Sequence, residues 1–534
     1  MPQSLHSDSQ LEPKNKFKTY SNLFLSTVSV LILGSFLTLL ISRTLSQVIV
    51  DHVEGQIGSL SWLFFDQNYP LYHGFDNTER YTIVYGPLLY IITGAFLKIL
   101  GPSIWALKLP TTLALGGSFI LIFAVIQKIH NRKLALWITA YTSVILLCFG
   151  TIYGHIFFFI RSDSIILLFT CLALWGVLQN HRIYSSILLS LCFGIVFNLK
   201  ITAVLYFLPL YWLFLTQQGL TISLISGFAG IIIGFLPFLH PQISWTNYFQ
   251  WLTVTTNHGF YANLFFDNIR TTIYLFLPIL ILGTSLFIHN KKLFHQTLKD
   301  IQYYLYFLLF STAGTIVIAS KGGAGSHHLI PLIPAILYPF LLLLKKHNPF
   351  DVKKLWSEGE SIFTQPITFL IFCFALILIS LNNAGVKAVL LDRFYRFDIS
   401  LITGDIELIL ETYPDQTIEM GYTTDEQYFL TNYRFLLPFQ GNPILIDGAA
   451  LMDMQTNGFE IPNSTIEALA SCRTQIWLIP KDWEQETQPF LQLNYYPPHA
   501  LLFSPEFRQT FLQSYEPRID SEFFHLWFCK DELE

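Results

Sequence analysis

The chain has 534 residues, 52% of them hydrophobic and only 13% charged, with 49 Phe and a mean hydropathy of +0.47. Apolar runs of about 20 residues recur along most of it, which excludes an ordinary soluble enzyme and marks a polytopic membrane protein. The net charge of −5 is small against that background and points to no nucleic-acid partner.

The first apolar run, 22–42, follows Lys14, Lys16 and Lys18. It is too long for a signal-peptide core and no small-residue cleavage site follows, so it is read as the first span. Further runs fall near 82–100, 103–127, 133–152, 155–178, 183–198, 200–216, 220–240, 272–289, 302–320, 329–344 and 366–384. If 82–100 crossed, the basic connections Lys128/Arg132/Lys133, Lys291/Lys292/Lys299 and Lys345/Lys346/Lys353/Lys354 would all lie outside, against the positive-inside bias. The break at Tyr85-Gly86-Pro87 and the flanking Lys98 suit an interfacial or re-entrant element instead. The expectation is a helical membrane protein of about eleven spans. It has a cytoplasmic N-terminal tail over 1–21, a membrane domain over 22–385 with a first outer loop at 43–102, and an extracytoplasmic domain over 386–534.

The first outer loop, "IVDHVEGQIGSLSWLFFDQNYPLYH", supplies acids. Asp51 and Glu54 lie three residues apart and share one face of a helix. A carboxylate there suits a general base taking a proton from a hydroxyl; capping the helix is the ordinary alternative. Ile57, Leu60, Trp62 and Leu63 among polar residues predict an amphipathic helix on the membrane surface.

"GHIFFFIRSDSIILLFTCLALWG", 154–176, carries Arg161 and Asp163 near its outer end. A charge at mid-bilayer costs roughly 2.5 to 3.5 kcal/mol, so both read either as functional or as ion-paired between helices. Residues two apart on a helix do not face each other, so each needs another partner. Lys200 lies at the apex of "GIVFNLKITAVLYFLP", and the turn "KGGAGSHH" brings Lys321, His327 and His328 to the same side. Cations converging from separate helices suit a phosphate group. Snorkelling at helix ends is the alternative for Lys200 and Lys321, and a satisfied polar turn for the two His. No third ligand stands at metal spacing, so no metal or other cofactor is assigned.

From about 386 the composition turns soluble. "TIEMGY", "PILIDG" and "TQIWLIP" read as short strands separated by turns such as "LETYPDQ", which predicts a small α/β domain of roughly 120 residues. It is read as an acceptor-binding or packing module, with Arg434 and Asp447 as solvated surface residues and ligand contact as the alternative. Four of the six Cys (Cys148, Cys171, Cys192, Cys373) lie in apolar runs; Cys472 and Cys529 remain for a disulfide or as free thiols.

Taken together, "DHVEG", "ERYTIVYGPLLYIITGAFLKILGPSIWALKLPTTLA", "RSDSIILLF", "NLKITAVLYFLP" and "KGGAGSHHLIPLIPAI" follow the order seen in the GT-C membrane glycosyltransferases. Over roughly 22–345 the chain resembles bacterial protein O-mannosyltransferase-like and aminoarabinose-transferase-like enzymes. The resemblance implies a multi-pass inner-membrane enzyme with a polyprenyl-phosphate sugar donor and an extracytoplasmic site. It also implies inversion at the anomeric carbon and a lipid, glycan or protein acceptor. The base maps to Asp51 or Glu54. The mannosyltransferases carry an adjacent Asp-Glu pair, which His52 and Val53 separate here. Glu54 is slightly favoured, because Glu54-Gly55 matches the family's usual continuation, although Asp51 lies closer to the end of the first span and could reach the cavity equally well. Lys200 maps to the donor-phosphate contact, joined by Arg161, Lys321, His327 and His328, with Asp163, Arg80 and Tyr85 lining the cavity. The rival class is a transporter or flippase, since intramembrane charges also mark substrate pathways. Inverted repeats of broken helices would favour it, and none is visible in the sequence.

Overall fold

A computed structural model of the chain describes residues 12–49, 51–81, 85–152, 160–347, 399–482, 487–497 and 499–530. The first part is helical: α1 (Glu12–Leu45), α2 (His52–Asp66), α3 (Pro87–Leu100), α4 (Ile104–Ile129), α5 (Arg132–Ile152), α6 (Ser162–Val177) and α7 (Arg182–Leu199). It continues as α8 (Val204–Gln218), α9 (Leu220–Phe235), α10 (Trp245–Thr256), α11 (Ala262–His289), α12 (Lys291–Ala319) and α13 (Ile333–His347). In lipid every backbone polar group must be satisfied within the segment, which is why such apolar runs become helices.

Among the described residues eight helices are long and apolar enough to cross a membrane. Of the eleven expected spans, 133–152 forms α5, 155–178 is represented by the 16-residue α6, and 366–384 lies outside the described residues, as does the expected boundary at 385/386. With 14 residues, α3 reaches about 21 Å at ~1.5 Å per residue, short of a hydrocarbon core of ~30 Å. Ser326–Lys346 is the most enclosed of the eight, with 89% of an 18-residue apolar stretch buried, against 22% for the corresponding stretches of Ser26–Leu45 and Leu220–Leu239, which form the rim.

A close backbone approach fixes α3. A Cβ on Gly86 would fall 1.5 Å from the Asn198 carbonyl oxygen, so only glycine fits there. The Gly86 N–H donates to the Leu199 carbonyl (3.2 Å), and Asn198 Oδ1 accepts the Leu88 N–H (2.8 Å) while its Nδ2 donates to the Gly234 carbonyl (2.8 Å). The start of α3 is thereby pinned beside Lys200.

The C-terminal unit begins with α14 (Ile399–Thr412) and contains a four-stranded sheet of order β1-β2-β4-β3. Strand β1 (Ile418–Met420) runs parallel to β2 (Ile476–Pro480), which pairs antiparallel with β4 (Phe524–Cys529), and β4 with β3 (Tyr515–Asp520). "TIEMGY" and "TQIWLIP" thus supply strands, but "PILIDG" does not join the sheet. Its Ile446 forms an isolated bridge with Arg80 of the first loop, because that edge faces the loop rather than a neighbouring strand. Trp477, Phe490, Phe503, Phe507 and Phe511 fill the core behind the sheet. Cys472 and Cys529 form a disulfide with Cα atoms 5.8 Å apart.

The surface-helix expectation for α2 is overturned. Every residue from Glu54 to Phe64 is buried. The helix lies against α3 on one side and against residues 425–439 of the C-terminal unit on another, so its polar face meets protein rather than headgroups.

Candidate active site

The segment joining α1 to α2 is set by polar groups that answer helix-end carbonyls, which have no partner within the helix. Lys108, 1% exposed on α4, donates to the carbonyls of Arg43 (3.3 Å), Ser46 (2.7 Å) and Val48 (2.8 Å). Tyr433 Oη accepts the Ile49 N–H at 3.3 Å. Asp51 is then delivered as the N-cap of α2, its carboxylate accepting the Val53 N–H (3.3 Å) and so answering one of the unpaired first-turn donors.

The two acids fare differently. Asp51 Oδ1 lies 3.0 Å from His52 Nδ1, Oδ2 pairs with Arg161 Nη2, and the side chain is 14% exposed. Glu54 is wholly enclosed. Its Oε1 accepts the Ile160 N–H (3.0 Å) and its Oε2 lies 3.5 Å from Arg43 Nη2.

Arg161 is the N-cap of α6, where the helix dipole opposes a cation, and its pairing with Asp51 offsets this. Asp163, in the first turn, suits the same dipole. Its Oδ1 lies 3.4 Å from Lys200 Nζ, and Lys200 sits at the reversal between α7 and α8, preceded by Leu199 and followed by the short 3₁₀ turn Ile201–Ala203. Lys200 Nζ is also 3.2 Å from His328 Nε2 and 5.9 Å from the Tyr85 ring centroid. The Tyr206 hydroxyl donates to the His328 carbonyl (2.8 Å), and the His327 ring stands 4.6 Å from that of His328. Four separate elements thus build one largely enclosed line, Asp51, Arg161, Asp163, Lys200, His328, in which acid and base alternate as far as Lys200 and two bases meet at its end. Among the described residues, Asp163 Oδ2 and the Nδ1 atoms of His327 and His328 are buried without a hydrogen-bond partner, which leaves capacity for a polar ligand.

Lys321 does not join this line. Its Nζ donates to the Thr256 carbonyl (2.8 Å), and its backbone bridges to Phe260. Arg80 lies in the seam with the C-terminal unit. Its N–H donates to the Leu445 carbonyl (2.8 Å), its carbonyl accepts the Asp447 N–H (2.7 Å), and its Nη1 donates to the Glu79 carbonyl (2.8 Å). Burial pushes its guanidinium down to about 10, against the pull of Asp76 and Glu79. Arg434 and Asp447 are not solvated surface residues: they are 6% and 1% exposed and ion-paired with each other. Sequence reasoning missed Arg43, Lys108, Gln56 and Tyr433. Lys108 alone carried a signal, as a single cation within an apolar run. Among the described residues no group of three or more His, Cys, Asp and Glu is arranged to hold a metal ion.

Residues 85–245 match the family model described as dolichyl-phosphate-mannose-protein mannosyltransferase. Among solved structures, the chain is similar to ArnT from Cupriavidus metallidurans in the apo state, with a TM-score of 0.50 and 13% identity over 93% of this chain and 97% of that one. The ArnT structure bound to undecaprenyl phosphate gives 0.48 and 12% over the same shares. The archaeal oligosaccharyltransferase AglB from Archaeoglobus fulgidus, in complex with an inhibitory peptide and a dolichol-phosphate, gives 0.35 and 10% over 87% of this chain and 70% of that one. No curated protein matches the sequence. The chain is a multi-pass membrane protein with the fold of the GT-C membrane glycosyltransferases.

Proposed function

We propose that this chain is an inverting glycosyltransferase, moving a sugar from a polyprenyl-phosphate donor to an acceptor hydroxyl at an extracytoplasmic cavity. One observation carries the reading. A carboxylate, Asp51, is held on Arg161, two residues before Asp163, which pairs with Lys200 beside His328. The family match over 85–245 spans Arg161, Asp163 and Lys200 and supports the same reading. The basic loops and the positive-inside bias support a cytoplasmic N-terminus and an external C-terminal unit.

In this reading the donor phosphate docks where Arg161, Lys200 and the N-terminus of α6 meet, since a helix start and two cations together favour an anion. Arg161 exchanges Asp51 for phosphate, which frees Asp51. Asp51 takes the acceptor hydroxyl's proton as the oxygen attacks the anomeric carbon from the face opposite the phosphate. The bond from that carbon to the phosphate oxygen breaks, its electron pair leaves with the polyprenyl phosphate, and configuration inverts. Arg161 and Lys200 stabilise the charge that gathers on the leaving group where water is scarce. Asp51 is preferred to Glu54 as base because its side chain is 14% exposed whereas none of the Glu54 surface is.

Purified protein incubated with a panel of polyprenyl-phosphate sugars and acceptors should turn over at least one donor, with inverted product. Lys200→Ala and Arg161→Ala should weaken donor binding or slow transfer while the protein stays folded. Unchanged activity per folded molecule in both variants would sink the phosphate assignment.

A further inference from the structure

Resting on the reading above, we infer that the C-terminal unit completes the active site, with Asp447 acting through Gln56 as the positioning residue for the helix that carries the base. The unit holds the chain on both sides of Asp51, at the linker before α2 and on α2 itself. Upstream, the Tyr433 hydroxyl accepts the Ile49 N–H (3.3 Å). Downstream, Gln56 Nε2 donates to Asp447 Oδ2, while Asp447 Oδ1 accepts from Arg434 Nη2 and from the Ala449 N–H (3.1 Å). Arg434 in turn donates through Nη1 to the Tyr422 hydroxyl, which also accepts the Gly448 N–H (2.7 Å). Gln56, Tyr422, Arg434 and Asp447 are all buried, and hydrogen bonds made to charge in such a dry setting are the strong ones.

Between these two anchors the surfaces meet without a gap. A Cβ on Gly55 would fall 2.5 Å from the Asn432 carbonyl oxygen, so α2 lies with its backbone directly on the C-terminal unit. Gln56 is five residues beyond Asp51, little more than one helical turn. A shift at Gln56 is therefore transmitted along a rigid rod to the carboxylate. Asp51 makes its own contact with Arg161 from a helix end, and the N-cap position fixes its carboxylate only as well as α2 itself is fixed. Misplacing a reacting group by about 1 Å costs roughly a hundredfold in rate, so a clamp on the rod is a rate-determining feature of the site.

The test compares Gln56→Leu, which removes only the donor on α2 and leaves the Arg434–Asp447 pair, with Asp447→Asn. Hydrogen exchange of the α2 amides is measured in the purified full chain, together with kcat and donor KM on the best donor of the panel. Exchange in α2 should quicken by at least about tenfold and kcat fall by about ten- to a hundredfold, with donor KM within about twofold of wild type. The double variant should lose no more kcat than the worse single one, because both act through one contact. Unchanged α2 exchange in folded Gln56→Leu overturns the clamp whatever the activity. Quickened exchange with wild-type kcat overturns the positioning role. A wild-type protein that turns over no donor would instead defeat the glycosyltransferase reading, and the exchange measurement would still decide the clamp.

Discussion

Replacing Glu54 by Gln removes a fully buried charge while keeping an acceptor oxygen for the Ile160 N–H. The Arg43 guanidinium 3.5 Å away loses its counter-charge. At that separation the attraction is about 5 kcal/mol for an effective dielectric of ~20. Breaking a buried pair from one side typically costs about 3 to 5 kcal/mol. Arg43 is 13% exposed and keeps its bond to the Val48 carbonyl, so a loss near the lower figure, about 3 kcal/mol, is expected. Asp51→Asn differs in kind. Asn keeps the cap but leaves Arg161 without its carboxylate, so some stability is lost here too; in the proposed reading the proton acceptor is gone as well, and turnover should fall by about two to four orders of magnitude. Unfolding midpoints in one detergent, read with turnover per folded molecule, separate the two roles. Glu54→Gln should unfold early yet keep turnover within about tenfold. A Glu54→Gln protein as stable as wild type but inactive, beside an active Asp51→Asn, would refute the assignment and make Glu54 the base.

Gly55→Ala should destabilise the chain by about 1 to 3 kcal/mol, because its Cβ meets a backbone carbonyl rather than a movable side chain; an unchanged unfolding midpoint would refute the close approach. Lys321→Ala should leave turnover within about twofold of wild type, since its ammonium is engaged on Thr256; a loss approaching that of Lys200→Ala, of order tenfold or more, would return it to the phosphate site. Burial pushes the Glu419 carboxyl up to about 8 from 4.5, so the folded chain holds a proton that the unfolded chain releases. This contribution is fully present below about 4.5 and lost as the pH climbs through about 8. The unfolding midpoint of Glu419→Gln should therefore fall less than that of wild type across this window, and parallel curves would refute the shift.

The sequence carried the line of charges because each member breaks a local pattern. Arg161 and Asp163 interrupt an apolar run, Lys200 marks the reversal between two, and His327 and His328 follow a glycine-rich turn. What it did not carry was which of two acids keeps some exposure. Helical spacing put Asp51 and Glu54 on one face, but Asp51 became an N-cap turned towards Arg161 and Glu54 a first-turn residue turned into the protein. That difference depends on Arg43, Lys108 and Ile160, brought together only by tertiary packing. The same limit explains Arg434 and Asp447. Charged residues in a polar tail are normally solvated, and nothing local to them records that α2 covers them. The α2 helix misled for the converse reason: amphipathicity records that one face is apolar but not what covers the other.

The contact between Gln56 and Asp447 joins residues 391 positions apart. At ~5 to 20 residues per second of synthesis, α2 waits about 20 to 80 s for the residue that will hold it. By the time Asp447 is made, every residue of the line, from Asp51 to His328, has already been synthesised while α2 still lacks this contact. If the clamp acts as proposed, catalytic competence arrives as a late event in the life of each nascent chain. In the proposed reading a stalled or clipped chain lacking Asp447 would carry every charged residue of the line and still be a poor catalyst, so translation past Asp447 would act as the check on activity.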